Sequence, residues 1–435
     1  MQAPATVNVA TPEFFEGLDV LLQNRTVTSP VVVACYLQWH TAKQYAGDLG
    51  TTYQQRFRPL HTRLGQVAKR EPERWSTCVR TVRRVVADIV DQWYVAFTFG
   101  PDARDAARQT IAGIRQAYLA RVHDALPWVE ADSKKVALEK LARMAEKIGY
   151  PDFLFDPTKI AANYGWLTER LVHQDEVGGR LKTTIAPPTY FDVMRLTRQF
   201  QDREERLLFA RGEVDRTKWG MAASEVNAYF MPPLNEIVFP AGILGRPFYL
   251  TGAPSYINFG SIGSIVGHEI GHSMESRVLP DGRLGKWWTN ATEAAYHERA
   301  RCFIDQYSQF PITNTTRVNG KLTLAENVAD NSGLARAHEA WMAELDPAGA
   351  TTASPRLPGF AELGYSREQT FYLAFAQMWC GRMRPAAELQ LVLTNEHAPG
   401  HVRVRGTVAN SQTFREAWSC PVGRPMAPEK TCELW

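Results

Sequence analysis

Residues 265–272 spell IVGHEIGH, and no other stretch restricts the chain so tightly. Histidines at i and i+4, here His268 and His272, stand one turn apart on one helix face, close enough for both imidazoles to bind a single ion. Glu269 sits one position round from His268. From there it can take a proton from an attacking water without ligating the metal itself. The approach to the motif, SIGSIVG, is apolar, which suits a helix buried beneath a cleft. In a chain with 10 histidines, a chance H-E-x-x-H has odds on the order of one in a hundred.

A hydrolytic zinc needs a third protein ligand and an open fourth position. The segment TLAENVADNSG, residues 323–333, offers Glu326 and Asp330, again four apart on one face. One carboxylate can bind the metal while the other accepts a hydrogen bond from a ligand imidazole and fixes its tautomer. Spacing alone leaves open which does which. It also leaves open a solvated acidic face, although the Leu, Val and Ala neighbours fit that reading less well.

The rest of the composition sets bounds. A 435-residue chain with 45% apolar content can bury a large core, enough for two lobes. Charge is nearly balanced, 49 Lys and Arg against 46 Asp and Glu, with no basic stripe, so nucleic acid is not expected as a partner. No stretch approaches the roughly 20 apolar residues that span a bilayer. The opening MQAPATVNVATPEFF lacks the basic-then-apolar order of a secretory signal. Three N-x-Ser/Thr sequons, at Asn24, Asn290 and Asn314, lean toward a secreted glycoprotein. The six cysteines fit either disulfides or buried thiols.

The first 125 residues read as helices, with apolar positions three and four apart in PVVVACYLQWHTAKQYAGDL, WSTCVRTVRRVVADIVDQWYVAF and DARDAARQTIAGIRQAYLARVHDAL. SKKVALEKLARMAEKIG reads as a further helix, capped by Ser133 and ended by Gly149. GYPDFLFDPTK follows as a proline-bearing loop, a seam between structural units. Strands are expected at 225–230 and 235–242 around a Met-Pro-Pro-Leu turn. Helical spacing returns at 261–275, 288–309, 322–345, 366–383 and 411–419.

Taken together, NAYF, NEIVFPAGIL, IVGHEIGH, AENVADNSG, FAQMWCG, HAPGHVRVRG and the terminal CELW resemble the neprilysin family of zinc metallopeptidases, which includes the endothelin-converting enzymes. The motifs cover the C-terminal half densely and in the family's order; KIGYPD at 147–152 and the N-terminal half match more loosely. The resemblance implies a mainly α protein with a small β-sheet. It would hold a partial helical lid lobe over residues 1–125, facing a thermolysin-like zincin catalytic domain over 126–435. It makes His268, His272 and Glu326 the ligands of one Zn2+, Glu269 the general base and Asp330 the outer carboxylate. On the family's H-x-P-G-x-x-R pattern, His397 would stabilise the oxyanion and Arg403 would grip a substrate carbonyl. In isolation either could be an ordinary surface residue. Asn227 and Ala228 match the strand segment that binds the substrate backbone, a role open to an edge strand. Ile243, Phe248, Ile265, Met378 and Trp379 match the apolar pocket for the residue after the scissile bond, although such residues also serve as plain core.

Several positions depart from the family. Ala325 and Ser332 replace usual glycines, and Glu275 and Ser276 replace an acidic pair. VNVATPEFFEGLDVLL already resembles the middle of the helical lobe, so the first two-fifths of a usual ectodomain, with its anchor or signal, is expected to be missing. Cys302 and Cys432 match a family disulfide. Cys78, Cys380 and Cys420 match positions whose partners would lie upstream, and Cys35 matches none. The expected function is a zinc endopeptidase on peptide substrates, extracellular or at the cell surface, preferring a hydrophobic residue after the cut. The alternative is a zinc- or peptide-binding fragment with little turnover.

Overall fold

A computed structural model describes residues 11–24, 28–63, 73–172, 188–211, 214–345 and 357–435. The chain divides into two compact units, residues 1–85 with 157–215 and residues 86–156 with 216–435. It passes from the second unit to the first at Asp156–Pro157, within the expected seam.

The first unit holds α1 (Pro12–Gln23), α2 (Pro30–Tyr45), α3 (Thr51–Arg63), α4 (Arg74–Val85), α8 (Pro157–Val172) and α9 (Tyr190–Arg211). Its packed part centres on α8 and α9, where Leu167, Met194 and Leu196 are buried. Trp166 stacks on Phe200 at 6.2 Å. Arg198 pairs with Asp48 beyond the end of α2 and lies over the Tyr45 ring.

The second unit holds α5 (Ala87–Thr98), α6 (Pro101–Asp124) and α7 (Ala131–Arg143), followed by β1 (Ala145–Gly149), β2 (Tyr229–Met231) and β3 (Glu236–Pro240). Its later helices are α10 (Ser255–Asn258), α11 (Ser264–Glu275), α12 (Asn290–Tyr307), α13 (Leu324–Glu344), α14 (Arg367–Met378), α15 (Pro385–Thr394), α16 (Gly400–Ala409) and α17 (Gln412–Ala417). Ile111, Ile114, Tyr118 and Val122 recur at helical spacing on α6, and all four are buried in the core. A π turn over Phe259–Gly263 joins α10 to α11.

The sheet order is β1–β3–β2, with β1 parallel and β2 antiparallel to β3. β3 is buried along its whole length, as a central strand should be. β1 corrects one expectation. Residues 145–149 were expected as the end of a helix from Ser133, since Ala, Glu and Lys favour helix. Instead the helix stops at Arg143, and Ala145–Gly149 pairs residue by residue with Glu236–Pro240. The open edge of β3 provides hydrogen bonds that outweigh local propensity, and Lys147 reaches Glu236 at 2.8 Å. Ser133 is no cap: Glu130 precedes the helix, and the Ser133 hydroxyl accepts from Thr289 N. Likewise 75–97 is two helices, broken at Val86, and the strand expected from 225 begins at Tyr229. The disulfide is Cys302–Cys432; Cys35, Cys78, Cys380 and Cys420 are free. No helix of the described residues is long and apolar enough to cross a membrane.

Candidate metal centre

The site is built where α11 and α13 meet. Two glycines let their backbones approach: a Cβ on Gly267 would sit 2.5 Å from Gly333 O, and one on Gly333 would sit 2.4 Å from His268 N. Neither position admits a side chain without the helices moving apart. From α6, the buried Tyr118 hydroxyl donates to Gly267 O at 2.8 Å. At the far end of α11, the buried Lys140 ammonium donates to Ser273 O at 2.5 Å and to Ser276 Oγ at 2.9 Å. It also lies 4.7 Å from the Trp287 ring centroid. It thereby caps the carbonyl end of the helix. Burial pushes the Lys140 pKa down to about 7.

This packing brings His268, His272 and Glu326 together. The two Nε2 atoms are 3.0 Å apart. Glu326 Oε2 is 3.1 Å from His268 Nε2, and Oε1 is 3.5 Å from His272 Nε2. A tetrahedral zinc with bonds of about 2.0–2.1 Å requires ligand–ligand edges of roughly 3.3–3.4 Å, so the triangle has the right size. Its chemistry fits as well. Asp330 Oδ1 accepts a hydrogen bond from His268 Nδ1 at 2.8 Å, which leaves Nε2 as the ring atom facing Glu326. Glu326 Oε2 is buried without a hydrogen-bond partner among the described residues. These three residues form a candidate cluster for one zinc.

Electrostatics supports the same division of roles. Burial opposes charge on His268, but the Asp330 and Glu326 carboxylates against its two ring nitrogens outweigh it and raise its pKa to about 10. The carboxylates that attract a proton there attract a metal cation equally well. Burial would raise Glu326, but the imidazoles of His268, His272 and His397 set against its carboxylate hold it far below the usual carboxylate range. Burial also opposes ionisation of Asp330; the Arg403 charge and hydrogen bonds win, bringing it to about 2. Arg403 donates through Nε to Asp330 Oδ2 at 2.7 Å and through Nη2 to Oδ1 at 2.6 Å. Its guanidinium lies 3.9 Å from the Trp379 ring centroid.

Glu269 is 6% exposed, and its carboxylate has no hydrogen-bond partner among the described residues. His397 reaches the cluster from the loop before α16, with Nε2 3.0 Å from Glu326 Oε2. Ile265 lies on α11 one turn before Glu269, partly buried against the core. Ile243 and Met378 are buried, and Phe248 and Trp379 pack at the core's margin. Asn227 and Ala228 immediately precede β2, an edge strand, and the Asn227 side chain accepts from Ala228 N.

Two segments, residues 1–151 and 227–434, match Peptidase family M13. The chain belongs to this family. The M13 chain is 32% identical to Neprilysin-1 of Caenorhabditis elegans over 434 residues, 99% of its own length and 54% of that protein's. It is also 32% identical to an endothelin-converting enzyme homolog of Locusta migratoria over 438 residues, 99% and 56% respectively. It thus spans about half the length of these curated relatives. A crystal structure of the Mycobacterium tuberculosis zinc metalloprotease ZMP1 with an inhibitor matches with a TM-score of 0.75 and 25% identity, covering 92% of this chain and 57% of that one.

Several site residues carried no signal of their own in the sequence. Tyr118 acts across 149 positions, and Lys140 looks like any helix-surface lysine. Asn395, which holds His397 through both its backbone N–H and its ring, betrayed itself only as an Asn two residues upstream.

Proposed function

We propose that the chain is a zinc-dependent endopeptidase. The observation that carries this reading is the triangle of His268, His272 and Glu326 donor atoms, with Glu269 buried on the same helix one position after His268. Zinc bound there supplies Lewis acidity and brings the pKa of water toward neutrality. Glu269 accepts the proton of the attacking water and returns it to the leaving amine. Asp330 keeps His268 in the ligating tautomer and is itself held by Arg403. His397, when it carries an Nε2 proton, donates to the oxyanion as a preorganised group. Because Nε and Nη2 of Arg403 face Asp330, any contact with a substrate carbonyl falls to Nη1.

The substrate backbone lies against Asn227, Ala228 and the edge of β2. Ile243, Phe248, Ile265, Met378 and Trp379 favour a hydrophobic residue after the cut. The division into a partial lid lobe over residues 1–125 and a catalytic domain over 126–435 differs from the two compact units in that α6 packs with the catalytic helices and buttresses α11 through Tyr118. The site of action is extracellular or at the cell surface. The test is zinc content measured together with hydrolysis of short quenched peptides that differ only after the intended cut. Cleavage before Phe or Leu but not before Asp, by protein holding one zinc, is the expected result. Zinc bound with no cleavage of any peptide would leave a binding fragment instead.

A further inference from the structure

Beside the zinc cluster a second set of donors converges. Glu326, Glu396 and His397 each offer one ligand atom, all within 4.8 Å of one another. His397 Nε2 is 3.0 Å from Glu326 Oε2, the buried oxygen without a hydrogen-bond partner among the described residues. Glu326 is only 8% exposed, so that oxygen has little water to turn to. Glu396 is exposed, which opens the set to ions from solvent.

His397 is oriented as a metal ligand would be. Its backbone N–H lies 2.8 Å from Asn395 Oδ1, and since a backbone N–H can only donate, that amide atom is the oxygen. The same oxygen is 3.0 Å from His397 Nδ1. Nδ1 therefore carries a ring proton, which leaves Nε2, the atom that faces Glu326, as the one to meet a metal. An outer partner on the far ring nitrogen is the usual support of a metal-binding histidine.

We propose that Glu326, Glu396 and His397 form a second, weaker zinc site that shares Glu326 with the first, and that filling it inhibits the peptidase by withdrawing His397 from the reacting carbonyl. The inference rests on the reading of His268, His272 and Glu326 as the first zinc site. One imidazole and two carboxylates are a donor set that zinc accepts. A carboxylate can give one oxygen to each of two ions, and here Oε1 faces His272 while Oε2 faces His397. Oε2 also lies 3.1 Å from His268 Nε2, so the two ions compete for the same group and repel each other. Binding is therefore stepwise, the cluster on α11 filling first.

The test is an equilibrium titration of the purified chain with zinc alone, counting bound zinc per chain and following peptide hydrolysis in parallel. The parent should bind one ion with a rise in activity, then a second with a fall. In Glu396→Gln the first ion should bind as before. The second should weaken by at least the roughly 10–100-fold that an outer partner alone is worth, and the inhibition should move to higher zinc by the same factor. Asn395→Leu should weaken the second ion by about 10–100-fold through loss of the outer partner. A chain that stops at one ion, with no inhibition by excess zinc, overturns this inference and leaves the peptidase reading intact. A second ion bound equally well by Glu396→Gln also overturns it, because that ion must sit elsewhere. A chain that binds no zinc overturns both readings.

Discussion

Helices α1–α4 and helix α13 are drawn from sequence with the same three- and four-residue spacing, yet their surroundings differ completely. No residue of α1, α2, α3 or α4 is buried, and Phe14 and Trp75 remain 63% and 69% exposed. α13 buries Glu326, Asn327, Asp330 and Arg336 along with its apolar residues. Amphipathic spacing sets where a helix forms, whereas close approach depends on small residues and polar groups that find partners. At α13 these are Gly333 against Gly267, Arg403 against Asp330, and Trp435 O accepting from Arg336 at 2.8 Å. The chemistry sits where backbones touch, since a metal triangle tolerates little displacement of its donors.

The largest expected effect lies on α13. Glu326→Ala should lose both zinc and hydrolysis, because two imidazoles alone leave the ion under-coordinated. Metal analysis of the purified variant decides this. Asp330→Ala should keep the metal but bind it roughly 10–100-fold more weakly, as measured by chelator competition. If Asp330→Ala empties the site and Glu326→Ala does not, the two carboxylates exchange roles.

Paired stability measurements separate the two groups of helices. Gly333→Ala places a methyl against the His268 amide and should cost about 1–3 kcal/mol in urea unfolding. Leu21→Ala on α1, where the side chain is 48% exposed, should stay within about 0.5 kcal/mol. Equal losses would show that α1 packs as tightly as α13.

A smaller effect concerns the anchoring of α11 by Lys140. The Lys140 pKa falls from 10.5 to about 7 on folding, so between those values the unfolded chain binds more protons than the folded one. Stability contributed at this position should therefore rise as pH increases from about 7 toward 10.5, and the full cost of the buried charge persists below that window. Lys140→Met should lack this slope when unfolding of the two proteins is compared across the window. Parallel curves would mean that the ammonium stays charged, its cost offset by Ser273, Ser276 and Trp287.

Much of the site was legible because its chemistry is local. His268, Glu269 and His272 declare themselves within five residues, and Glu326 and Asp330 within another five. What was hidden depends on distant partners. β1 was misread because Ala145, Glu146 and Lys147 favour helix, and nothing nearby reveals the waiting edge of β3. The Ser332 hydroxyl donates to Val328 O at 2.7 Å within its own helix, a partner that four-residue spacing provides locally. Ser276 has become an acceptor for Lys140, and also for Trp287 through its carbonyl. The exposure of α1–α4 could not be read from spacing at all, since an apolar stripe predicts a covered face without saying what covers it.

We propose that Glu269 moves protons beside a zinc cluster that it does not help to hold. The most direct measurement is Glu269→Gln, with zinc per chain and hydrolysis of one quenched peptide determined on the same preparation as the parent. One zinc per chain is predicted for both proteins, with the variant slower by about 10²–10⁴-fold. A variant within about tenfold of the parent rate, or one that loses its zinc along with its activity, would contradict the account.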